Sequence, residues 1–287
     1  MPDLDQFGWW ATLPFRISPY LFEVNGFAIR YYSLMYILAF MTFYFLVRYR
    51  LKTEDFNISQ EQIDEFLTWA LCGVLLGGRL GYVLFYNFYY FLHHPLEIFL
   101  PFTFENGFSF TGISGMSYHG GLIGVALCSI WFCRKNKIQL WEFSDLICPA
   151  VPLGYTFGRL GNFINSELYG RITDVPWAMI FPTDPQLALR HPSQLYEAFF
   201  EGILLFVILW GLRKLNQLKY MMCGLYLIGY GVMRFFIEFV RMPDAHLNFV
   251  FLRFTMGQIL CLIMAASGLC LLIAVKAAYR QNKTDEL

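Results

Sequence analysis

Tyr230, Arg234, Glu238 and Arg241 follow one another at spacings of four, four and three, which on an α-helix places all four along one stripe. A local ion-pair ladder accounts for Glu238 with one arginine and leaves the other guanidinium seeking an anion. A second constellation, GRLGNFINSELYGR at residues 158–171, sets Arg159 and Asn162 three apart on one helical face, with Asn165 and Glu167 following at its end. Close helix packing explains Gly154, Gly158 and Gly161. It does not explain Arg159 and Asn162, for which a structural polar network and ligand binding both stand. A third, YHGGLIG at 118–124, puts His119 beside Gly120 and Gly121, which strip side-chain bulk and let another group come close. Imidazole titrates near neutrality and could accept a proton there, or it could be a satisfied polar group. GGRLGY at 77–82 surrounds Arg79 with packing glycines and reads as structure. RHPSQLYE at 190–197 reads as a helix start, with Pro192 and Ser193 as start signals and Glu197 early, where the helix dipole favours an anion.

The elements that must carry these residues are apolar. The chain is 57% hydrophobic, 20% aromatic and only 15% charged, beyond ordinary globular usage, so the excess must face lipid. A hydrocarbon core about 30 Å thick takes roughly 20 apolar residues of helix. Runs of that order lie near 31–47, 66–86, 113–133, 144–164, 195–212, 221–240 and 255–275. The expectation is an all-α polytopic membrane protein, one integral membrane domain over 1–287 with seven transmembrane helices. Asp3, Asp5 and Pro14 replace the basic and short apolar stretches of a cleavable signal peptide, so the chain is expected to keep its amino terminus. The seven cysteines, Cys72, Cys128, Cys133, Cys148, Cys223, Cys261 and Cys270, lie in or at the ends of apolar runs and imply no disulfide framework. A net charge of zero points away from nucleic acid, and neither a phosphate-binding glycine loop nor a repeated CxxC pattern occurs, so no cofactor or metal is expected.

Lysine and arginine cluster in four connections: Arg48, Arg50 and Lys52; Arg134, Lys135 and Lys137; Arg213, Lys214 and Lys219; Lys276, Arg280 and Lys283. By the positive-inside rule these are cytoplasmic, which puts the amino terminus outside and the carboxyl terminus inside. The intervening stretches hold Arg16, Arg171, Arg190 and Arg253, while Arg30, Arg79, Arg159, Arg234 and Arg241 lie in spans or at their outer rims. Lysine is absent from this second set. Salt bridging and anion capture are both open readings, and arginine's planar fork suits a lipid phosphate better than an ammonium does. Counting from the outer span ends, Arg79, His119, Arg159 and Arg234 share a level roughly 8 to 11 Å below the outer surface, which implies a chamber reached from the outer leaflet.

At this point the sequence resembles one family. GRLGNFINSELYGR looks like the signature stretch of prolipoprotein diacylglyceryl transferases, and YHGGLIG, GGRLGYVLFYN, RHPSQLYE, IGYGVMRFFIEFVR and MGQIL follow that family's pattern in order across essentially the whole chain. Tyr31 and Ser33 stand where tryptophan and glycine are common, and Ser166 and Tyr169 occupy variable positions of the signature. The resemblance implies a seven-helix inner-membrane enzyme with a small periplasmic head, here residues 87–111 and 165–194. It implies phosphatidylglycerol and the lipobox cysteine of a prolipoprotein signal peptide as substrates. The family's essential groups map onto Tyr32, His119, Arg159, Asn162, Glu167, Gly170, Tyr230, Arg234, Glu238 and Arg241. Of these, His119, Arg159 and Arg234 are expected to be catalytic and the others to bind substrate. Arg159 and Arg234 are expected to clamp the departing phosphate with Arg241 at the rim. The base for the thiol is His119, or Glu238 or a neighbour, and Glu238 could instead orient Arg234.

A transporter or channel for an anionic or lipid substrate would also need intramembrane charge, but it should show internal repeats and polar groups toward both leaflets. A retinal-type receptor would need a lysine in the middle of the seventh run, and none precedes Lys276.

Overall fold

The computed structural model describes residues 7–24, 27–100, 102–103, 109–110, 115–242 and 254–285. Asp3, Asp5, Arg253 and residues 101, 104–108 and 111 of the 87–111 segment lie outside that set, as do the side chains of Arg280 and Lys283. The chain forms two compact units, Met1–Thr53 with Ser144–Leu287, and Glu54–Phe143.

The first unit opens with a short helix α1 (Leu13–Arg16) and an antiparallel hairpin, β1 (Tyr20–Val24) with β2 (Phe27–Arg30), which runs into α2 (Tyr31–Thr53). The helix α6 (Leu140–Ile147) leads through a 3₁₀ turn, Cys148–Ala150, into α7 (Val151–Ile164). Pro149 and Pro152 explain the interruption, because each removes a backbone donor that a continuous helix would need. Next come α8 (Ser193–Glu197), a π-helical turn (Ala198–Leu204) and α9 (Leu205–Leu212), which together form one continuous helical stretch. α10 (Met222–Ile237) and α11 (Met256–Asp285) complete the unit and pack on each other.

Small residues let these helices meet. α7 lies on α2 through Gly154, where an added Cβ would stand 3.2 Å from the Ala39 carbonyl, and Gly161, where it would stand 2.9 Å from the Tyr32 ring. Gly158, between them, faces no atom within 4 Å and so is not a packing glycine among the described residues. Gly202 on the π turn lies against Thr156 of α7.

In the second unit α3 (Gln60–Phe85) starts at a capping box. The Gln62 amide donates to Ser59 Oγ at 3.2 Å and the Ser59 amide to Gln62 Oε1 at 2.8 Å. α4 (Phe88–His93), a 3₁₀ turn (Pro95–Ile98), paired strands β3 (Phe102–Thr103) and β4 (Ser109–Phe110), and α5 (Tyr118–Lys135) follow. Gly73 and Gly77 of α3 meet Gly120 and Gly124 of α5 backbone to backbone, so a Cβ at any of them would collide with main-chain atoms of the other helix. Phe66, Phe132 and Phe143 form the buried aromatic core, with Phe66 and Phe143 ring centroids 4.7 Å apart.

Four helical stretches, Tyr31–Thr53, Gln60–Phe85, Ser193–Leu212 and Met256–Ala277, are long and apolar enough to cross a membrane, and Met222–Ile237 is a shorter apolar helix. Their outward faces carry Phe45, Leu75, Leu76, Val207 and Leu262, a surface only lipid would tolerate. The protein is therefore a helical membrane protein, and the two small hairpins qualify the all-α expectation.

One sequence reading needs correction. Arg48, Arg50 and Lys52 do not lie in a connection, since α2 continues to Thr53. Arg50 is buried and donates to the Asp145 and Leu146 carbonyls at the end of α6, the latter at 2.8 Å, where a cation meets the negative end of the helix dipole. The Asp145 carboxylate in turn accepts the Tyr220 and Met222 amides and so caps α10, the Met222 bond being 2.9 Å long.

Candidate functional site

α7 ends in the signature stretch, and its last turns set the first side of the site. Arg159 donates from Nε to the Tyr155 hydroxyl one turn back (2.6 Å) and from Nη1 to Asn162 Oδ1 (3.3 Å), with its guanidinium 4.8 Å from the Tyr155 ring centroid. Asn162 is buried and passes the chain on, donating from Nδ2 to Glu167 Oε1 at 2.7 Å. Tyr32 of α2 packs on Gly161 between Arg159 and Asn162, and its hydroxyl is 3.0 Å from that of Tyr36.

Glu167 is held by unusual backbone. Ser166 and Leu168 on either side have φ of 56° and 59°, the left-handed region that non-glycine residues rarely occupy. Side chains hold the three carbonyls in that arrangement: Thr183 donates to Ser166, and the buried Gln194 Nε2 and Ser193 Oγ donate to Glu167 (2.7 Å) and Leu168 (3.0 Å). Gly170 follows, where an added Cβ would stand 2.5 Å from the Val240 carbonyl and 2.7 Å from His191 Cβ. Only glycine lets this strand lie between the two, with the Gly170 amide on the His191 carbonyl (2.8 Å) and the Arg171 amide on the Val240 carbonyl (2.8 Å).

The second side comes from α10. Arg234 has one terminal nitrogen 3.3 Å from Glu197 Oε2 and 3.6 Å from Glu201 Oε1, and the other 3.1 Å from Glu238 Oε2. The helix closes at Ile237, so Glu238 caps it and Arg241 lies beyond it, bridged to Gly170, and the single stripe inferred from spacing does not persist. Arg241 nevertheless turns inward, with Nε 3.6 Å from Glu197 Oε1. Glu238 also accepts from Thr255 Oγ1 (3.2 Å), part of a reciprocal capping pair with Gln258 at the start of α11.

The centre is a residue whose partners the spacing does not show. Glu197 sits early in the continuous helical stretch Ser193–Leu212, as expected, but its side chain is 0% exposed and meets arginines, with Arg159 Nε 2.8 Å from its Oε2. Three arginines from α7, α10 and the segment after α10 thus converge on one carboxylate. Glu201, four residues on in the π turn, accepts from the Tyr155 hydroxyl at 2.5 Å, and Tyr155 lies 3.5 Å from the Tyr230 hydroxyl with the two rings edge to face. Glu201 and Tyr155 were legible only as carboxylate or phenol within a span. Two carboxylates four apart in an apolar run are costly unless arginines meet them, and that is the signal that could have found them.

The other two members of the proposed level belong to the second unit. Arg79 is buried against backbone, donating to the carbonyls of Ile98 (2.7 Å) and Glu97 (2.6 Å) with its guanidinium 4.7 Å from the Phe91 ring centroid. It ties α3 to the 3₁₀ turn. His119 stands on the first turn of α5, whose amino end is capped by Ser117 Oγ accepting from the Gly120 amide, and its side chain is exposed.

The 165–194 segment has its own anchor. Arg190, buried, forks onto Asp184 with Nε at 2.5 Å and Nη2 at 2.9 Å, and its backbone bridges both Ile172 and Met179. Burial alone would raise the Asp184 carboxyl, but the Arg190 hydrogen bond, the Gln186 and Ala188 amides and the guanidinium charge outweigh it and hold the group below its ordinary value. The pair's contribution is then complete above about pH 4 and is lost as pH falls through the lowered folded value. Asp184→Asn is expected to cost about 3 kcal/mol of stability near neutrality, read as faster limited proteolysis between 165 and 194, and to remove the acid sensitivity of that segment.

Comparison with known proteins bears on the same residues. A family model described as prolipoprotein diacylglyceryl transferase matches residues 19–274. A protein of Chlorobaculum tepidum named phosphatidylglycerol-prolipoprotein diacylglyceryl transferase is 54% identical over 266 residues, covering 92% of each chain. A protein of the same name from Vibrio atlanticus is 45% identical over 273 residues, 95% of each chain, and one from Aliivibrio salmonicida is 45% identical over 259 residues, 90% of this chain and 87% of that one. The match runs through the signature stretch, the carboxylate with its three arginines, and both flanking helices, and the chain belongs to the prolipoprotein diacylglyceryl transferase family.

Proposed function

We propose that this chain transfers the diacylglyceryl group of phosphatidylglycerol to the lipobox cysteine of a prolipoprotein signal peptide. The thiolate sulfur attacks the glycerol carbon that carries the phosphate, the carbon–oxygen bond breaks, and glycerol 1-phosphate leaves. A thioether remains, and the thiol proton passes to a base. The observation that carries this reading is the convergence of Arg159, Arg234 and Arg241 on Glu197 within one apolar unit, a concentration of guanidinium that a phosphate ester would seek. The carbon is a poor electrophile until charge developing on the leaving phosphate is stabilised, and that is the work assigned to Arg159 and Arg234, with Arg241 at the rim. Tyr32, Asn162, Glu167, Gly170, Tyr230 and Glu238 complete the substrate site. The family resemblance supports a seven-span chain in the bacterial inner membrane, amino terminus periplasmic, with 87–111 and 165–194 as a small head and the reaction at the periplasmic leaflet. The decisive assay combines purified protein, phosphatidylglycerol and a lipobox peptide, with the peptide adduct read by mass spectrometry. Flux of lipid or anion without adduct would replace this reading with the transport one.

For the proton we assign His119, since a free thiol with a pKa near ~8.5 is only partly ionised at neutral pH. His119→Gln is expected to lower the transfer rate about 100-fold. An unchanged rate would move the role to a carboxylate such as Glu238.

A further inference from the structure

Glu197 holds a position that the transfer chemistry does not itself demand. Its carboxylate is completely buried, and it is approached by Arg159 Nε at 2.8 Å, Arg234 Nη1 at 3.3 Å and Arg241 Nε at 3.6 Å. Arg159 and Arg241 both turn the Nε edge toward it. Among the described residues the terminal nitrogens of Arg241 and Nη2 of Arg159 meet no protein acceptor, and these two side chains remain 13% and 16% exposed. Arg234 differs, since its terminal nitrogens face three carboxylates, Glu197, Glu201 and Glu238, while Nη1 makes no hydrogen bond to any of them. The arrangement sorts the three arginines into two that face Glu197 with the Nε edge and are open at the other, and one that is enclosed by carboxylates.

We propose that Glu197 is a positioning residue, a fixed counter-anion that aims the open edges of Arg159 and Arg241 at the phosphate of the lipid headgroup without touching that headgroup. This rests on the transfer reaction proposed above. Three guanidiniums gathered without it would repel one another and spread into different rotamers. With it, Arg159 and Arg241 are drawn in by the Nε edge that the substrate does not use, so their forks are organised before the phosphate arrives. The π turn that follows keeps Glu201 on the same side, where it fixes Tyr155, the second partner of Arg159 Nε.

A positioning anion has a signature that a merely structural one lacks. Neutralising it leaves the site more positive, so an anion binds more tightly even as the reaction slows. Purified full-length protein in phosphatidylglycerol vesicles with a lipobox peptide gives kcat, and glycerol 1-phosphate as inhibitor probes anion affinity. Wild-type protein must form the thioether adduct. Its failure to do so would overturn the transferase reading itself, before any variant is compared. In Glu197→Gln we expect kcat to fall about 30-fold while the inhibition constant of glycerol 1-phosphate falls about threefold or more. In Glu197→Asp, which keeps the charge but shortens the reach, kcat should fall about 10-fold with the inhibition constant unchanged. A kcat for Glu197→Gln close to wild type, or a lowered kcat with anion affinity unchanged or weakened, overturns the proposal. Should the glutamine variant not accumulate as folded protein, the aspartate variant decides: slower turnover at unchanged anion affinity supports positioning, and normal turnover or weakened affinity removes it.

Discussion

Arg159→Lys is expected to lower thioether formation by about 10³-fold while the protein still inserts and elutes as folded material, since the charge is kept and only the fork is lost. In the native site Arg159 uses Nε on both Glu197 and Tyr155 and Nη1 on Asn162, and its plane lies over the Tyr155 ring. An ammonium can reach one or two of these acceptors but cannot hold two edges in one plane, so the nitrogen aimed at the departing phosphate is no longer fixed. The loss should appear in kcat more than in KM, because the interaction strengthens as charge develops on the leaving oxygen. Transfer at close to the wild-type rate would remove Arg159 from the phosphate clamp, whatever role it kept in packing.

Much of this arrangement was readable from residue spacing, and the parts that were not share a physical cause. Arg159 and Asn162 were placed together because three residues along a helix is a neighbour relation, and the hydrogen bond between them follows. Arg234 and Glu238 obeyed the same rule across the last turn of α10. Arg241 did not, because the helix stops at Ile237 and a strand-like bridge to Gly170 takes over. It reaches Glu197 by tertiary packing, which spacing does not encode. The partners of Glu197 were missed for a related reason. Pro192 and Ser193 do begin a helix, and a carboxylate near such a start is usually explained by the dipole. Its actual partners are 38, 37 and 44 residues away in sequence, at Arg159, Arg234 and Arg241. The hydrophobic runs located the helices but not their interruptions, which follow from Pro149 and Pro152 between α6 and α7 and from the π turn after Glu197.

Arg234→Gln should have the most severe consequence of any single change, because it strips the counter-charge from two buried carboxylates, Glu201 and Glu238, and removes one of three arginines from a third, Glu197. Glu197, Glu201 and Glu238 are all within ion-pair distance of the Arg234 terminal nitrogens, at 3.3, 3.6 and 3.1 Å. Arg159 and Arg241 still reach Glu197, but no other arginine lies within ion-pair distance of Glu201 or Glu238 among the described residues. Removing one partner of a buried pair costs about 3–5 kcal/mol, so a loss of about 5 kcal/mol is expected here, together with abolished transfer. The damage should spread to α11, since Glu238 accepts from Thr255 at that helix's capping pair. Stability and catalysis can be separated by two companions. Arg234→Lys keeps a charge among the carboxylates, so it should restore most of the thermal stability in detergent and little of the activity, as one ammonium cannot span Glu197 and Glu238 together. Glu201→Gln combined with Arg234→Gln should be more stable than the sum of the single changes by about 2 kcal/mol, because the orphaned carboxylate has been neutralised and a glutamine oxygen can still accept from Tyr155. Additive single and double variants would mean that Arg234 and Glu201 do not sense each other, and the carboxylate-enclosed arginine would lose its place at the centre of the site.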